Sequence, residues 1–242
     1  MEGGTLVTAL GLGFALGLRH ALDPDHLVAV STIVGEHRSL KRSSLVGAFW
    51  GLGHTASLLL AAVAVIALKL RVSETSALWM EFAVALMLVA LGARALGTAL
   101  RGWRLHAHAH THGGRPHVHL HLHRPGEGHA RRQHRHRHLL GLGARPFAVG
   151  MVHGMAGSAG LMLLVLATIP SAVAGLAYVG VFGLGSVGGM LVMSGLLSLP
   201  FILTAKRFGA LGYGLQLATG LLSLSFGLLL VWRYGFGEHL IY

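Results

Sequence analysis

The 242-residue sequence is 53% hydrophobic and only 11% charged, with a positive mean hydropathy, a balance that excludes an ordinary water-soluble domain and points to the membrane. Its net charge of +11 would suggest nucleic acid in a soluble protein, but the basic residues fall in the connections between apolar stretches, so topology accounts for them and no nucleic-acid partner is expected. The absence of cysteine excludes disulfide frameworks, thiolate metal sites and cysteine nucleophiles, leaving soft-metal chemistry to histidine and methionine.

A hydrocarbon core about 30 Å thick takes roughly 20 apolar residues per helical span. Six stretches meet that length, at 4–35, 44–68, 77–100, 146–169, 172–199 and 210–232. The expected fold is all-α and polytopic, in two three-helix units (1–102 and 144–242) separated by a histidine- and arginine-rich, disordered cytoplasmic connection (103–143). The opening 18 residues have no basic start and no small-residue cleavage site, so the first span is read as retained. Lys and Arg concentrate in alternate connections, at Arg38, Lys41 and Arg42, through 101–145, and at Lys206 and Arg207. The positive-inside rule then sets both termini outside the cytoplasm of a plasma (inner) membrane.

The first span carries Arg19-His20-Ala21-Leu22-Asp23-Pro24-Asp25-His26-Leu27, five ionisable residues within an otherwise apolar run. Each adds a few kcal/mol to the cost of insertion unless it is paired or hydrated, so the cluster is a functional hypothesis by default. At about 100° per residue a straight helix cannot bring His20 and His26 together. Pro24 supplies a break that frees the His20 carbonyl, with Asp23 where an N-cap belongs, and splits the span into two half-helices. Imidazole nitrogen with carboxylate oxygen suits first-row divalent ions and suits magnesium or calcium poorly. The reading is that His20, Asp25 and His26 bind the ion, while Asp23 and Arg19 support them as cap or neighbouring charge.

Phe14, Ala15, Gly17 and His20 recur as Phe147, Ala148, Gly150 and His153, each 133 residues later, and Gly51-Leu52-Gly53 recurs as Gly183-Leu184-Gly185. Two halves of three spans each would have opposite orientations, the inverted-repeat plan that sets a transporter's site at the repeat interface near the bilayer midplane. His153 is then expected to face His20. Met155 and Ser158 follow in the same stretch as further pathway lining. Glycines four apart, such as Gly13 and Gly17 or Gly150 and Gly154, signal close helix contact.

The connection between the third and fourth spans alternates His106, His108, His110 and His112, then His117, His119, His121 and His123, and continues to His138; twelve of the eighteen histidines lie there. Such a segment is expected to chelate nickel, copper or zinc weakly, loading or buffering the cargo.

The segment from Arg19 to Leu27, a His, four residues, then Asp-His, closely resembles the signature of the nickel/cobalt transporter superfamily, and Trp50-Gly-Leu-Gly-His54-Thr55 resembles its second motif. The resemblance covers essentially all six spans. It implies ligand roles for His20, Asp25 and His26 and a pathway role for His54. Larger members carry acidic motifs in the second half, whereas Gly150 to Ser158 has no carboxylate, so the chain looks like the shorter, urease-accessory branch. Transport of Ni2+ or Co2+, with uptake that supplies a nickel enzyme such as urease, is what the resemblance implies. Efflux, zinc as cargo, and an accessory subunit that binds metal without moving it are the alternatives.

No permanently bound cofactor is expected, and the partners are the lipid bilayer, the ion, and a second copy of the chain or a metallochaperone. An enzyme reading fails on geometry. Ser158 as an intramembrane protease nucleophile needs a histidine base, typically on the sixth span, and 210–232 contains none. Nor is there a phosphate-binding loop, so the chain hydrolyses no nucleotide.

Overall fold

The computed structural model describes residues 3–35, 37, 39–68, 73–101, 104–112, 115–123, 139–156, 169, 171–207, 209–238 and 240. Helices α1 (Gly3–His20) and α2 (Pro24–Val34) occupy the first apolar stretch; α3 (Leu40–Leu68) and α4 (Glu74–Arg101) follow. Strands β1 (Arg104–His112) and β2 (Arg115–His123) come next, then α5 (Leu139–Gly154), α6 (Ala172–Arg207) and α7 (Gly209–Trp232), which runs into one π turn at Arg233–Gly237.

This is an all-helical protein apart from the strand pair, and the segments at Leu40–Leu68, Glu74–Arg101, Ala172–Thr204 and Ala210–Gly237 are long and apolar enough to cross a membrane. Polarity is arranged for lipid. Ser43, Ser57, Ser186, Ser194, Ser198 and Ser223 are buried, while Leu60, Leu184, Leu203 and Val173 are exposed. Water would favour the opposite; in hydrocarbon an outer apolar surface costs nothing and polar groups turn inward. The chain is a multi-pass membrane protein.

Helix pairing is dominated by α3 with α6, α4 with α7, α3 with α5 and α1 with α6. Glycine makes the approaches possible. A Cβ at Gly17 would collide with the Phe182 carbonyl, and one at Gly150 with the Trp50 carbonyl. A Cβ at Gly185 would meet the Phe14 carbonyl and Leu18 nitrogen, and one at Gly53 the Phe147 carbonyl and Met151 nitrogen. With little hydrophobic drive between helices in lipid, such close backbone contact and interhelical hydrogen bonds hold the bundle. The bonds here include Ser186 Oγ to the Gly17 carbonyl (3.3 Å), Ser223 Oγ to the Leu88 carbonyl (3.0 Å) and Gln216 Nε2 to the Gly35 carbonyl (3.0 Å).

Several expectations change in detail. The connection was expected to be disordered throughout, yet β1 and β2 pair antiparallel, with His106, His108 and His110 opposite His121, His119 and His117. Histidine alternating with Ala, Val or Leu has the period of a strand, and composition alone averages that period away. His129, His134, His136 and His138 lie outside the described residues. Helix α5 begins at Leu139 rather than at residue 146 and carries Pro146 inside it, and α6 runs past Pro200 to Arg207 instead of stopping at 199. Proline removes one helical hydrogen bond, a loss that packed neighbours in a membrane bundle allow a helix to tolerate.

Candidate metal site

The site starts from a turn. Asp23 has φ −62° and ψ 143°, the extended backbone that a following proline imposes, and Pro24 opens α2. Contrary to the sequence reading, the His20 carbonyl is not left free: the Asp23 N–H donates to it at 3.0 Å, while the Leu22 N–H donates to the Arg19 carbonyl at 2.8 Å. This tight turn between α1 and α2 brings the His20 and His26 rings to a centroid separation of 4.4 Å.

His54 arrives on α3 and His153 near the end of α5. The four imidazoles are all buried, with His26, His54 and His153 at 1% exposure or less. His26 stands centrally, 4.1 Å from His153 and 5.3 Å from His54 between ring centroids. His20 Nε2 lies 3.1 Å from His54 Nε2. Two nitrogens bound to one ion at about 2.0–2.1 Å stand roughly 2.9–3.4 Å apart for right-angled to tetrahedral geometry, so this pair already has the spacing of two ligands.

Carboxylates orient the rings. His20 Nδ1 donates to Asp23 Oδ2 at 2.7 Å, leaving its Nε2 for the centre. Asp25 reaches both ways: Oδ2 accepts from His153 Nε2 at 2.8 Å, and Oδ1 accepts from the His26 backbone N–H at 2.9 Å and from His26 Nδ1 at 3.2 Å. Two triads, His20–His26–His54 and Asp25–His26–His153, each have one ligand atom per residue within 4.8 Å of the others. Meanwhile His26 Nε2, His54 Nδ1 and His153 Nδ1 are buried without a hydrogen-bond partner. Such atoms are rare in folded proteins and are met by ordered water, a ligand or an ion.

Of the residues singled out from sequence, His20, Asp25, His26, His54 and His153 converge, with Asp23 behind His20. Arg19 lies exposed on α1 and joins no described contact of the cluster; Met155 is also exposed. Ser158 lies outside the described residues, and for the eight histidines of the hairpin only the strand register is described.

One wall of the site escaped the sequence reading. Trp50, fully buried, stacks on His26 with centroids 5.5 Å apart and planes 20° from parallel, and contacts His153 edge-on at 5.5 Å. Its signal was available: Trp50 and His54 are four apart and share a helix face. Phe182 lies against His20, with ring centroids 5.6 Å apart.

No solved structure matches this chain. Urease accessory protein UreH of Bacillus sp. (strain TB-90) is 36% identical over 235 residues, which span 97% of this chain and 95% of that protein. Chloroplast proteins FOR GROWTH AND FERTILITY 2 and 1 of Arabidopsis thaliana are each 28% identical over 75% of this chain, which spans 45% and 47% of their lengths. The NicO family, described as high-affinity nickel-transport protein, matches residues 6–205. With that match covering the turn, all five converging residues and most of the bundle, the chain belongs to the NicO nickel-transport family and is a transporter rather than an enzyme.

Proposed function

We propose that this chain carries Ni2+, and Co2+ as its nearest substitute, across the plasma membrane through the cluster of His20, Asp25, His26, His54 and His153. The observation that carries the reading is four buried imidazoles and a partly buried carboxylate at ligand spacing, with ring nitrogens left unpartnered inside a multi-pass membrane protein. Membership of a nickel-transport family supports reading the ion as cargo. Asp23 holds His20 in the tautomer that ligates, as carboxylate partners do behind metal-bound histidines.

The architecture we infer is six spans in two inverted three-helix repeats, with the first span broken at Pro24. The glycine contacts support it by being reciprocal: Gly17 on Phe182 corresponds to Gly150 on Trp50, and Gly185 on Phe14 corresponds to Gly53 on Phe147. The first helix of each half thus lies against the second helix of the other. The basic connections support a cytoplasmic position for the histidine hairpin, whose eight histidines would there receive or buffer the ion. A membrane potential contributes about 2.3 kcal/mol per charge per 100 mV, so a divalent ion is drawn inward and no nucleotide is needed. The name of the UreH relative fits uptake that feeds a urease.

The test is radioactive nickel flux into sealed proteoliposomes that contain only this chain, under an inside-negative potential. Saturable uptake, lost in His26→Ala, is expected. Nickel bound but never translocated would make the chain an accessory subunit, and unchanged flux in the variant would remove the ligand role.

A further inference from the structure

We infer that the cluster is two overlapping ion stations that share His26, so that the ion is handed from one to the other and only one is filled at a time. This rests on the transport reading above and adds how the ion moves through the site.

The two triads differ in chemistry. His20, His26 and His54 form an all-nitrogen set, whereas Asp25, His26 and His153 mix two nitrogens with a carboxylate. Both contain His26, and its two ring nitrogens face different surroundings. Nδ1 is engaged by Asp25 Oδ1 at 3.2 Å, and Asp25 in turn holds His153 Nε2 at 2.8 Å through Oδ2. Nε2 is buried with no hydrogen-bond partner, while His20 and His54 present their own Nε2 atoms to each other at 3.1 Å. The first station is therefore assigned three Nε2 atoms, and the second His26 Nδ1, His153 Nε2 and an oxygen of Asp25.

Asp25 changes role with the ion. With the first station filled it sits behind His26 and orients the ring, as carboxylates do behind metal-bound imidazoles. With the second filled it becomes a ligand, and the protons that His26 Nδ1 and His153 Nε2 share with it move to the unpartnered His26 Nε2 and His153 Nδ1, because a neutral imidazole ligates only through its unprotonated nitrogen. A central ring that uses one nitrogen per station lets the ion exchange partners without entering hydrocarbon as a bare charge. A single imidazole between two dications would also suffer their mutual repulsion across a few ångströms, so simultaneous occupancy is disfavoured. Conduction needs a site strong enough to enter yet able to release, and two unequal stations provide that.

The test uses the full chain in nanodiscs with the twelve connection histidines, His106 to His138, changed to alanine so that the hairpin adds no signal. Cobalt(II) is the probe, read by stoichiometry and by ligand-field and X-ray absorption spectra. One cobalt per chain is expected. His54→Ala should keep one cobalt in a mixed oxygen and nitrogen environment, His153→Ala should keep one in a nitrogen-rich environment, and both should lose translocation by at least about tenfold. His26→Ala should bind none, and because removing a central ring can unfold the site, His26→Gln and His26→Asn are compared with it. Gln places an amide near Nε2 and Asn near Nδ1, so they should restore the first and the second environment respectively. Two cobalt ions bound together, or identical spectra from His54→Ala and His153→Ala, would overturn the shared-ligand scheme while leaving metal transport standing. Absence of cobalt binding in the unsubstituted cluster would instead bring down the transport reading itself.

Discussion

Replacing Gly17 by alanine should disable the metal site from a distance, because this glycine sets how closely α1 lies on α6. A Cβ at position 17 would fall inside contact distance of the Phe182 carbonyl oxygen and at 3.0 Å from the Ser186 nitrogen. Non-bonded carbon and carbonyl oxygen rest about 3.3 Å apart or more, so the helix must retreat by roughly 1 Å. Overpacking of this kind costs about 1–3 kcal/mol, which for a chain of this length is roughly 2–12 °C in melting temperature. The larger consequence is at His20, three residues on. Ligand distances tolerate only about 0.2 Å, so nickel affinity should fall on the order of 10- to 100-fold, as for other losses of ligand support. Equilibrium nickel binding and thermal melting of the purified chain, with the connection histidines removed, measure both effects. Gly11→Ala is the control on the same helix, since nothing lies within 4 Å of its added carbon, and it should match the parent. A Gly17→Ala chain that binds nickel within about twofold of the parent would refute the link between backbone approach and site geometry.

Two further outcomes are expected. Asp23→Ala removes the acceptor that holds His20 Nδ1 at 2.7 Å, and should weaken nickel binding about 10- to 100-fold while Asp23→Asn, whose amide oxygen can still accept, loses less; equal losses in the two variants would show that charge rather than ring orientation is at stake. Deleting residues 105–138 should leave saturable nickel flux in a correctly inserted protein, because the buried cluster is complete without the hairpin, and zero flux would make the connection part of the pathway.

The site was legible in the sequence where its chemistry was out of place. His20, Asp25 and His26 stand out because ionisable groups rarely occur in an apolar run, and Pro24 between them announces the turn that lets them meet. His153 was reachable only through the repeat, since a lone histidine near a helix end has many uses. Trp50, though it heads the second motif, was given no role because an aromatic residue in a membrane helix is ordinary; only tertiary packing turns it onto His26. The joint use of His26 by two triads was equally hidden, being a relation among α1, α2, α3 and α5 rather than a property of any segment. Helices α5 and α6 extend beyond the expected 146 and 199 because the spans were bounded by their apolar runs, whereas the helices continue through Pro146 and Pro200. The strands were missed for a related reason: an average over composition discards alternation.

The reciprocal seams of α1 on α6 and α5 on α3 also bear on how the molecule is made. The groove that receives α1 belongs to a helix that begins at Ala172, so during synthesis α1 and its turn enter the membrane long before their docking surface exists. Asp25 has to wait for His153 for the same reason, since its partner is 128 residues further along the chain. The candidate metal cluster is therefore among the last parts to assemble, and a chain interrupted after α4 has the His20–Asp23 turn without the His153 that meets Asp25. Synthesis of the turn and completion of the cluster are separated in time by the length of chain between Asp25 and His153.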